Sequence, residues 1–352
     1  MNYLISPHDD DSVLFAAATC LRERPTVVVV ADSYVQPARG EVGCSAEARA
    51  AETAQAHAVL GCETIRLGLR DDDLRLEQVC DVLRPLLASV GQVYVPALEG
   101  GHPQHDLAAL AAAEVFSPEA LRCYSTYARL SQYGEADLSP VGTEEIVLTP
   151  EEAALKMSAL RCYESQVRIN LPHFRAVVDR PEWLSGYRRV HLGCGERLLP
   201  GWVNVDRHPP STPSGTFQQL DCATEDLTSI IEPHTVDYVF SEDFLEHVPP
   251  ERRVHVINQC WQILKPGGVM EHLVPNAGSR NAYGSPTHLS HWNLQAFDHF
   301  DVNSYRWKKD RHFEGIVGGF TKVSAELNGW LTEEDGVKRA QSIRVRYRAV
   351  AC

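Results

Sequence analysis

Alternating strand and helix patterns constrain the fold of this chain more than any other feature. The stretch TVVVVADS (Thr26–Ser33) begins with a β-branched run that is typical of a strand buried on both faces of a parallel sheet. Helix formers fill Ser45–Gly61, and the strand-like ETIRLGL and Gln92–Leu98 follow, separated by the helix-like RLEQVCDVLRPLLASVG. Such alternation predicts a doubly wound, mostly parallel α/β sheet with helices on both faces.

The same alternation starts again in the second half of the 352 residues. Val177–Arg189 (VVDRPEWLSGYRR) has mixed polarity, a proline and a glycine, as is typical of a domain junction. Beyond it, strand-like segments end at Asp206 and Asp221, and VDYVF, the helix-like ERRVHVINQCWQIL, the turn LKPGG and a fifth strand follow. The sequence therefore predicts two α/β domains, residues 1–178 and 179–352.

Composition narrows the classes of function. The formal net charge is −14 and no lysine- or arginine-rich run occurs, which argues against a nucleic acid or an anionic membrane as the main partner. Neither a secretory signal nor an apolar run long enough for a membrane span is visible. The ten cysteines include no C-x-x-C pair, which disfavours a zinc ribbon or a disulfide framework. We therefore expect a cytoplasmic protein that acts on small molecules.

Metal-binding side chains follow two predicted strands. His8, Asp10 and Asp11 come directly after the first strand, and His102 and His105 follow the strand at Gln92–Leu98. All five would lie at one edge of the sheet, where ligands gather. Two histidines and an aspartate with one position left open for water are typical of catalytic zinc sites. The alternative is ordinary helix capping by the aspartates and histidines.

Five segments of the first half resemble the PIG-L/LmbE-like N-acetylglucosaminyl deacetylase family. The two metal motifs of that family are similar to PHDDD at Pro7–Asp11 and GGHPQHDLAA at Gly100–Ala109. Its R-x-x-E helix, L-G-x-x-D loop and terminal segment resemble ARAAE, LGLRDDD and KMSALRCYESQ, in the same order along the chain. The resemblance covers residues 1–170 and implies a zinc-dependent N-deacetylase.

The resemblance also implies a role for each matching position. His8, Asp11 and His105 would bind zinc, Asp10 would be the general base, and His102 would stabilise the oxyanion or protonate the leaving amine. Arg49 and Asp71 fall where the family contacts its sugar. Two departures stand out: Asp9 occupies a position that is usually proline or hydrophobic, and Gln104 replaces the aspartate of H-P-D-H.

The second half contains a glycine turn after its first strand, in RVHLGCGERLLPGWVNVDRH. Glycine allows the backbone to approach a ligand closely, and an acid at the end of the next strand can accept from ribose hydroxyls. An ordinary tight turn is the alternative. Together with LEH and LKPGG, this segment resembles the class I S-adenosylmethionine-dependent methyltransferases over residues 187–345. By position, cofactor binding would involve Gly193, Gly195, Asp206 and Asp221.

A later segment, SPTHLSHWNLQAFDHF, resembles the P-T-H segment that some of these methyltransferases place over the acceptor. The resemblance makes His288 and His291 candidates for the methyl-acceptor site, whereas we expect His247 to have a packing role. His191 stands where an acidic residue is common, and Arg197 replaces a third glycine.

These observations predict a bifunctional enzyme that binds Zn²⁺ and S-adenosylmethionine. It would deacetylate an N-acetylated amino sugar or a sugar-bearing metabolite and methylate the same or a related molecule. One alternative is a deacetylase whose second half is only a binding or dimerisation module of a homo-oligomer. The other is a binding protein in which both sites are vestigial.

Overall fold

The computed structural model describes residues 1–32, 44–99, 102–126, 129–130, 136–137, 144–166, 180–212, 216–332 and 337–350. The chain forms two compact units, Met1–Tyr187 and Arg188–Cys352. The predicted boundary at 178/179 lies outside the described residues. The strand that follows it, Glu182–Gly186, pairs within the first sheet, so the first unit extends beyond the predicted boundary.

The first unit contains a seven-stranded sheet that is parallel at its centre. Its strands, together with a small hairpin, are β1 Tyr3–Ser6, β2 Thr26–Asp32, β3 Thr64–Arg70, β4 Val93–Pro96, β5 Leu121–Tyr124, β6 Arg129–Leu130, β7 Ala136–Asp137, β8 Glu144–Ile146 and β9 Glu182–Gly186. Its helices are α1 Asp11–Phe15, α2 Ala17–Glu23, α3 Ala46–Leu60, α4 Leu76–Leu83, α5 Pro103–Val115 and α6 Pro150–Leu160. The strand order is β3-β2-β1-β4-β5-β9-β8, and β6 pairs with β7.

Local sequence explains the limits of these elements. Helix α3 begins where the side chain of Ser45 accepts a hydrogen bond from the amide of Ala48, and it ends at Gly61, whose φ is +73°. The predicted helix over residues 75–91 is interrupted: α4 ends at Leu83, and a 3₁₀ segment follows. Pro85 explains the change, because proline lacks the amide hydrogen that an α-helix needs.

The second unit repeats the arrangement, and one edge of its sheet is likewise completed by an antiparallel pair of strands. Its strands are β10 Arg189–Leu192, β11 Val203–Asp206, β12 Phe217–Gln219, β13 Val236–Glu242, β14 Leu264–Pro275, β15 Phe320–Thr332 and β16 Lys338–Ala349. Its helices are α7 Arg253–Ile263, α8 Leu294–Phe297 and α9 Tyr305–Glu314. The order is β12-β11-β10-β13-β14-β16-β15, with β16 antiparallel to both of its neighbours.

The predicted fold class, two mostly parallel α/β sheets with helices, is confirmed. One local prediction is wrong: LKPGG is not a turn before the fifth strand but part of β14. Its register against β13 jumps from Leu264 to Val269, so the glycines form an irregularity inside the strand. No helix in the described part of the chain is long and apolar enough to cross a membrane.

Candidate active sites

The first site lies where the strand order of the first sheet reverses. Strands β1 and β4 are neighbours, whereas β2 and β5 continue the sheet in opposite directions. The loop after β1 carries His8 to Asp10, and the segment after β4 leads to His102 and helix α5. Ligands of open α/β sheets bind at such a switch point.

The side chains of His8, Asp11 and His105 meet there. The Asp11 Oδ2 atom lies 3.0 Å from His8 Nδ1 and 3.2 Å from His105 Nε2. Donor atoms around a tetrahedral zinc ion are about 3.3 Å apart, given ligand distances of about 2.0–2.1 Å. The imidazole rings of His8 and His105 have centroids 5.3 Å apart. Two of the three pairs of donor atoms therefore have a spacing close to that of zinc ligands.

Charge in this cluster is concentrated on Asp11, which is 2% exposed. Burial alone would raise the pKa of its carboxyl, but the His105 and His8 imidazoles outweigh burial and hold it well below its usual range. Burial would lower the pKa of His8, but the Asp11 and Asp71 carboxyls raise it well above the usual value. The cluster thus holds a buried carboxylate that a cation would stabilise.

A second layer of hydrogen bonds fixes His105. Its Nδ1 lies 3.2 Å from the Thr126 hydroxyl oxygen, and that hydroxyl donates to Glu99 Oε2 at 2.8 Å. Because the hydroxyl donates to the carboxylate, it accepts from Nδ1–H, which leaves Nε2 as the ring nitrogen that faces Asp11. Sequence reasoning did not predict that Glu99 and Thr126 support the site. Both residues follow the ends of strands, β4 and β5, and this position was the signal that could have identified them.

Asp10 lies beside the cluster, and its carboxylate faces Arg49. The Arg49 Nη2 and Asp10 Oδ2 atoms are 3.4 Å apart. Burial raises the pKa of Asp10, and the Arg49 guanidinium opposes this increase. Arg49, which the resemblance assigned to the sugar, is 2% exposed and also lies 3.9 Å from Asp9. In this structure Arg49 forms ion pairs with both aspartates.

Asp9 belongs to a second ion-pair network, which Arg49 links to Asp10. It is fully buried, pairs with the guanidinium of Arg66, and accepts a hydrogen bond from the Thr53 hydroxyl at 2.8 Å. Arg66 also contacts Asp32 at 2.6 Å. The network explains how an acid can replace the usual apolar residue. An arginine within the strand segment ETIRLGL was the sequence signal for it.

His102 and Gln104 complete the wall around His8. One donor atom each of His8, His102 and His105 lies within 4.8 Å of the others. Burial, together with the nearby His105 and His8, lowers the pKa of His102 to about 4, so its imidazole is neutral at pH 7. Gln104 bridges His8 and Asp71. Its Oε1 lies 2.9 Å from His8 Nε2, and its Nε2 donates to the Asp71 carbonyl at 2.7 Å. The Asp71 carboxylate lies 3.3 Å from His8 Nε2.

The second unit places its glycine turn at the corresponding switch point, between β10 and β13. Gly193 has φ +64°, and a Cβ atom there would lie 2.3 Å from the Phe244 ring. Gly195 has φ +49° and faces open space. Its amide donates to Asp206 Oδ2 at 2.9 Å, which fixes the turn against the end of β11.

Both glycines line a cavity of about 620 Å³. Asp206 and Asp221 lie on its wall, as do Asp243, His247 and Thr287. Asp221 is held by its own local turn, because its Oδ1 accepts from the Ala223 amide at 3.0 Å. The four predicted cofactor positions therefore surround one cavity.

Family comparisons match both halves of the chain. Residues 3–116 match the PIG-L family, described as GlcNAc-PI de-N-acetylase, and residues 203–271 match a methyltransferase domain family. The chain contains a PIG-L-type deacetylase domain and, after it, a methyltransferase-type domain. No curated protein matches the sequence.

Solved structures similar to the chain include both types of domain. A deacetylase triple mutant of the teicoplanin biosynthetic pathway is 19% identical with a TM-score of 0.43, covering 52% of this chain and 95% of its own. The deacetylase of the A40926 pseudoaglycone is 21% identical with a TM-score of 0.38, covering 52% and 94%. A methyltransferase from Archaeoglobus fulgidus is 16% identical with a TM-score of 0.35, covering 53% and 93%.

The histidines that the sequence singled out in the methyltransferase domain have different surroundings. His288 packs against His247, with ring centroids 5.0 Å apart, whereas His291 is exposed and lies against Tyr283. His191 is buried, and its ring stacks on Phe240 at 5.4 Å. The residue that replaces the usual acid thus has a packing role.

Proposed function

We propose that the protein is a bifunctional enzyme. Its deacetylase domain would hydrolyse the N-acetyl group of an amino sugar or sugar-bearing metabolite, with zinc held by His8, Asp11 and His105. Its methyltransferase domain would transfer a methyl group from S-adenosylmethionine to the same or a related small molecule. The observation that carries the first half is Asp11 Oδ2 at 3.0 and 3.2 Å from two imidazole nitrogens.

The residues of the deacetylase domain have complementary tasks in amide hydrolysis. Zinc, when bound, supplies Lewis acidity that polarises the amide carbonyl and acidifies a water molecule. Asp10 takes the proton of the attacking water, since burial raises its basicity while Arg49 fixes its position. When the carbon–nitrogen bond breaks, the proton on Asp10 passes to the departing nitrogen, giving acetate and a free amine.

The lowered pKa of His102 supports one of the two roles considered for it. With a pKa lowered to about 4, its imidazole carries no transferable excess proton at pH 7. A neutral imidazole N–H can still donate a hydrogen bond to an oxyanion. Of the two roles considered for His102, we therefore propose oxyanion stabilisation, with Asp10 serving the leaving amine.

Support for the methyltransferase activity comes from the cavity at the glycine turn. Gly195 leaves room for the cofactor, and the Asp206 carboxylate retains lone pairs for ribose hydroxyls beyond those used by the Gly195 and His208 amides. The residues fit S-adenosylmethionine because the donors and acceptors surround one cavity of sufficient size.

Chemistry favours deacetylation before methylation. An amide nitrogen delocalises its lone pair into the carbonyl and attacks a methyl sulfonium poorly, whereas a free amine needs only to lose its proton. We propose that the uncovered amine is the acceptor. A hydroxyl of the same sugar is the alternative, since a base such as His288 could activate it without prior deacetylation.

The experiment that tests this order uses the Asp10→Asn variant of the full chain with S-adenosylmethionine. N-acetylglucosaminides and the corresponding free glucosaminides are supplied separately, and methylation is followed by mass spectrometry. Methyl transfer only to the free amines supports the proposed order. Equal transfer to both substrates contradicts it and indicates oxygen as the acceptor.

A further inference from the structure

The methyltransferase domain contains a second cluster of metal-type ligands, outside the residues matched to cofactor binding. Glu246, His247 and His288 each offer a donor atom, and these atoms lie within 4.8 Å of one another. Glu246 and His247 belong to the loop after β13, and His288 belongs to a segment about forty residues later. His247 and the neighbouring Thr287 both line the cofactor cavity.

Both imidazoles of this cluster are held in the tautomer that a metal needs. His247 Nδ1 lies 3.0 Å from the Thr287 carbonyl oxygen, and His288 Nδ1 lies 3.0 Å from the Ala282 carbonyl oxygen. A carbonyl only accepts, so each Nδ1 carries the hydrogen and each Nε2 keeps its lone pair. Metal-ligating histidines are commonly oriented by such a bond from the second ring nitrogen.

Glu246 is the buried charge of the cluster. It is 2% exposed, and neither carboxylate oxygen is in hydrogen-bonding geometry with a donor among the described residues. The Asp243 carboxyl lies close enough to interact with it electrostatically. A buried carboxyl with another acid beside it is costly unless a cation is present.

Backbone contacts hold the two segments together. The amides of Leu289 and Ser290 donate to the Glu246 carbonyl at 2.7 and 2.9 Å. The Ser290 hydroxyl and the Trp292 indole donate to the Leu245 carbonyl at 2.9 and 3.2 Å. The ligand positions are therefore fixed by the fold before any ion binds, as a metal site requires.

We propose that Glu246, His247 and His288 bind a divalent first-row transition-metal ion at the wall of the cofactor cavity. Two imidazole nitrogens and one carboxylate suit such ions better than Mg²⁺ or Ca²⁺, which prefer oxygen ligands alone. An ion in this position would lie where it can ligate a donor atom of the methyl acceptor. The inference does not rest on methyl transfer, because cation binding alone is its readout.

Calorimetric titration of chelator-stripped protein with Co²⁺ tests this site. The full chain carrying His105→Ala serves as the background, so that the deacetylase site does not contribute. Adding His288→Ala should remove one equivalent of binding or weaken it at least about tenfold, because losing a ligand should cost at least as much affinity as losing the outer-shell partner of a ligand. Adding His291→Ala, which changes a nearby exposed histidine outside the cluster, should leave the isotherm unchanged.

Glu246→Gln provides a second variant that does not depend on histidine packing. It keeps the size of the side chain but removes the buried charge, so it should lose the same Co²⁺ equivalent. Its melting temperature in chelator should equal or exceed that of the background, which separates ligand loss from misfolding. Identical isotherms with and without His288→Ala or Glu246→Gln, or no Co²⁺ binding in the background, would overturn the proposal.

Discussion

The two domains share a strand order and differ in the loops at the ends of their strands. Both sheets run third-second-first-fourth-fifth through their parallel part, and both candidate sites lie between the first and fourth strands. In the deacetylase domain the first strand leads into His8 and Asp11, whereas in the methyltransferase domain it leads into Gly193 and Gly195. Topology therefore decides where a site forms, and the residues of the loop decide its chemistry.

The two sites also differ in burial. Asp11 and His105 are 2% and 1% exposed, and their side chains contact each other directly. The glycine turn instead borders a cavity of about 620 Å³. An ion needs ligands fixed within a small space, whereas a cofactor of nucleoside size needs room and backbone donors. The two kinds of site should therefore respond to different substitutions.

The largest effect is expected from His105→Ala. It removes one of the three proposed zinc ligands, so amide hydrolysis should fall below detection while S-adenosylmethionine binding stays unchanged. Release of free amine from N-acetylglucosaminides and cofactor titration measure the two properties. The matched control is His312→Ala, which changes an exposed histidine of α9 in the other domain. Wild-type hydrolysis in His105→Ala would contradict the assignment.

Asp10→Asn should have the next largest effect. It removes the proposed base and leaves the ligands, so the rate constant should decrease by about 10²–10⁴-fold with zinc content preserved. Elemental analysis of the purified variant, paired with its rate, checks both statements. Loss of zinc in Asp10→Asn would reverse the roles of Asp10 and Asp11.

Asp206→Ala tests the cofactor site of the methyltransferase domain. Losing the carboxylate at the end of β11 removes acceptors worth about 1.5–3 kcal/mol, so the dissociation constant for S-adenosylmethionine should increase by about tenfold to a hundredfold. Asp206→Asn, which keeps one acceptor oxygen, should have a smaller effect. Deacetylation should not change in either variant. A comparable decrease in deacetylation would argue for one composite site.

The smallest effect concerns the pH dependence of stability in the deacetylase domain. Burial lowers the pKa of His57 to about 4, and the neutral ring is bonded to Ser12 and Thr64. Between the folded value and the unfolded value near 6.5, the unfolded chain binds a proton that the folded one does not, so stability rises with pH in this window. His57→Gln should flatten this increase, by on the order of 2 kcal/mol in the free energy of unfolding. Denaturant titrations at pH 4.5 and 7 measure it, and an unchanged slope contradicts the assignment.

The sequence predicted which sheet edges carry the candidate sites, because strand ends can be read locally. PHDDD and HPQHD follow apolar strands, and GCG follows RVHL, so topology brings them to the sheet edges. Contacts between distant segments could not be predicted in this way. Arg49 faces Asp10 rather than solvent, and Thr126 supports His105, because tertiary packing decides which groups meet.

The same limit applies to His247, for which we expected a packing role. It contacts the carbonyl of Thr287, 40 positions later in the chain, and only folding brings its ring against that of His288. Local chemistry also misled at LKPGG, where glycines that favour a turn instead form an irregularity inside β14. Pairing with β13 at Leu264 and again from Val269 keeps the segment within one strand.

The central claim is that each domain owns a separate ligand site, and paired titration of one set of proteins tests it most directly. Zinc and S-adenosylmethionine are titrated into the chelator-stripped full chain carrying His288→Ala, so that zinc reports only the deacetylase site. The same titrations are made after adding His105→Ala or Asp206→Ala. We predict that His105→Ala loses zinc and keeps the cofactor, and that Asp206→Ala keeps zinc and binds the cofactor weakly. Loss of both ligands in either variant, with its circular dichroism unchanged, would contradict the account.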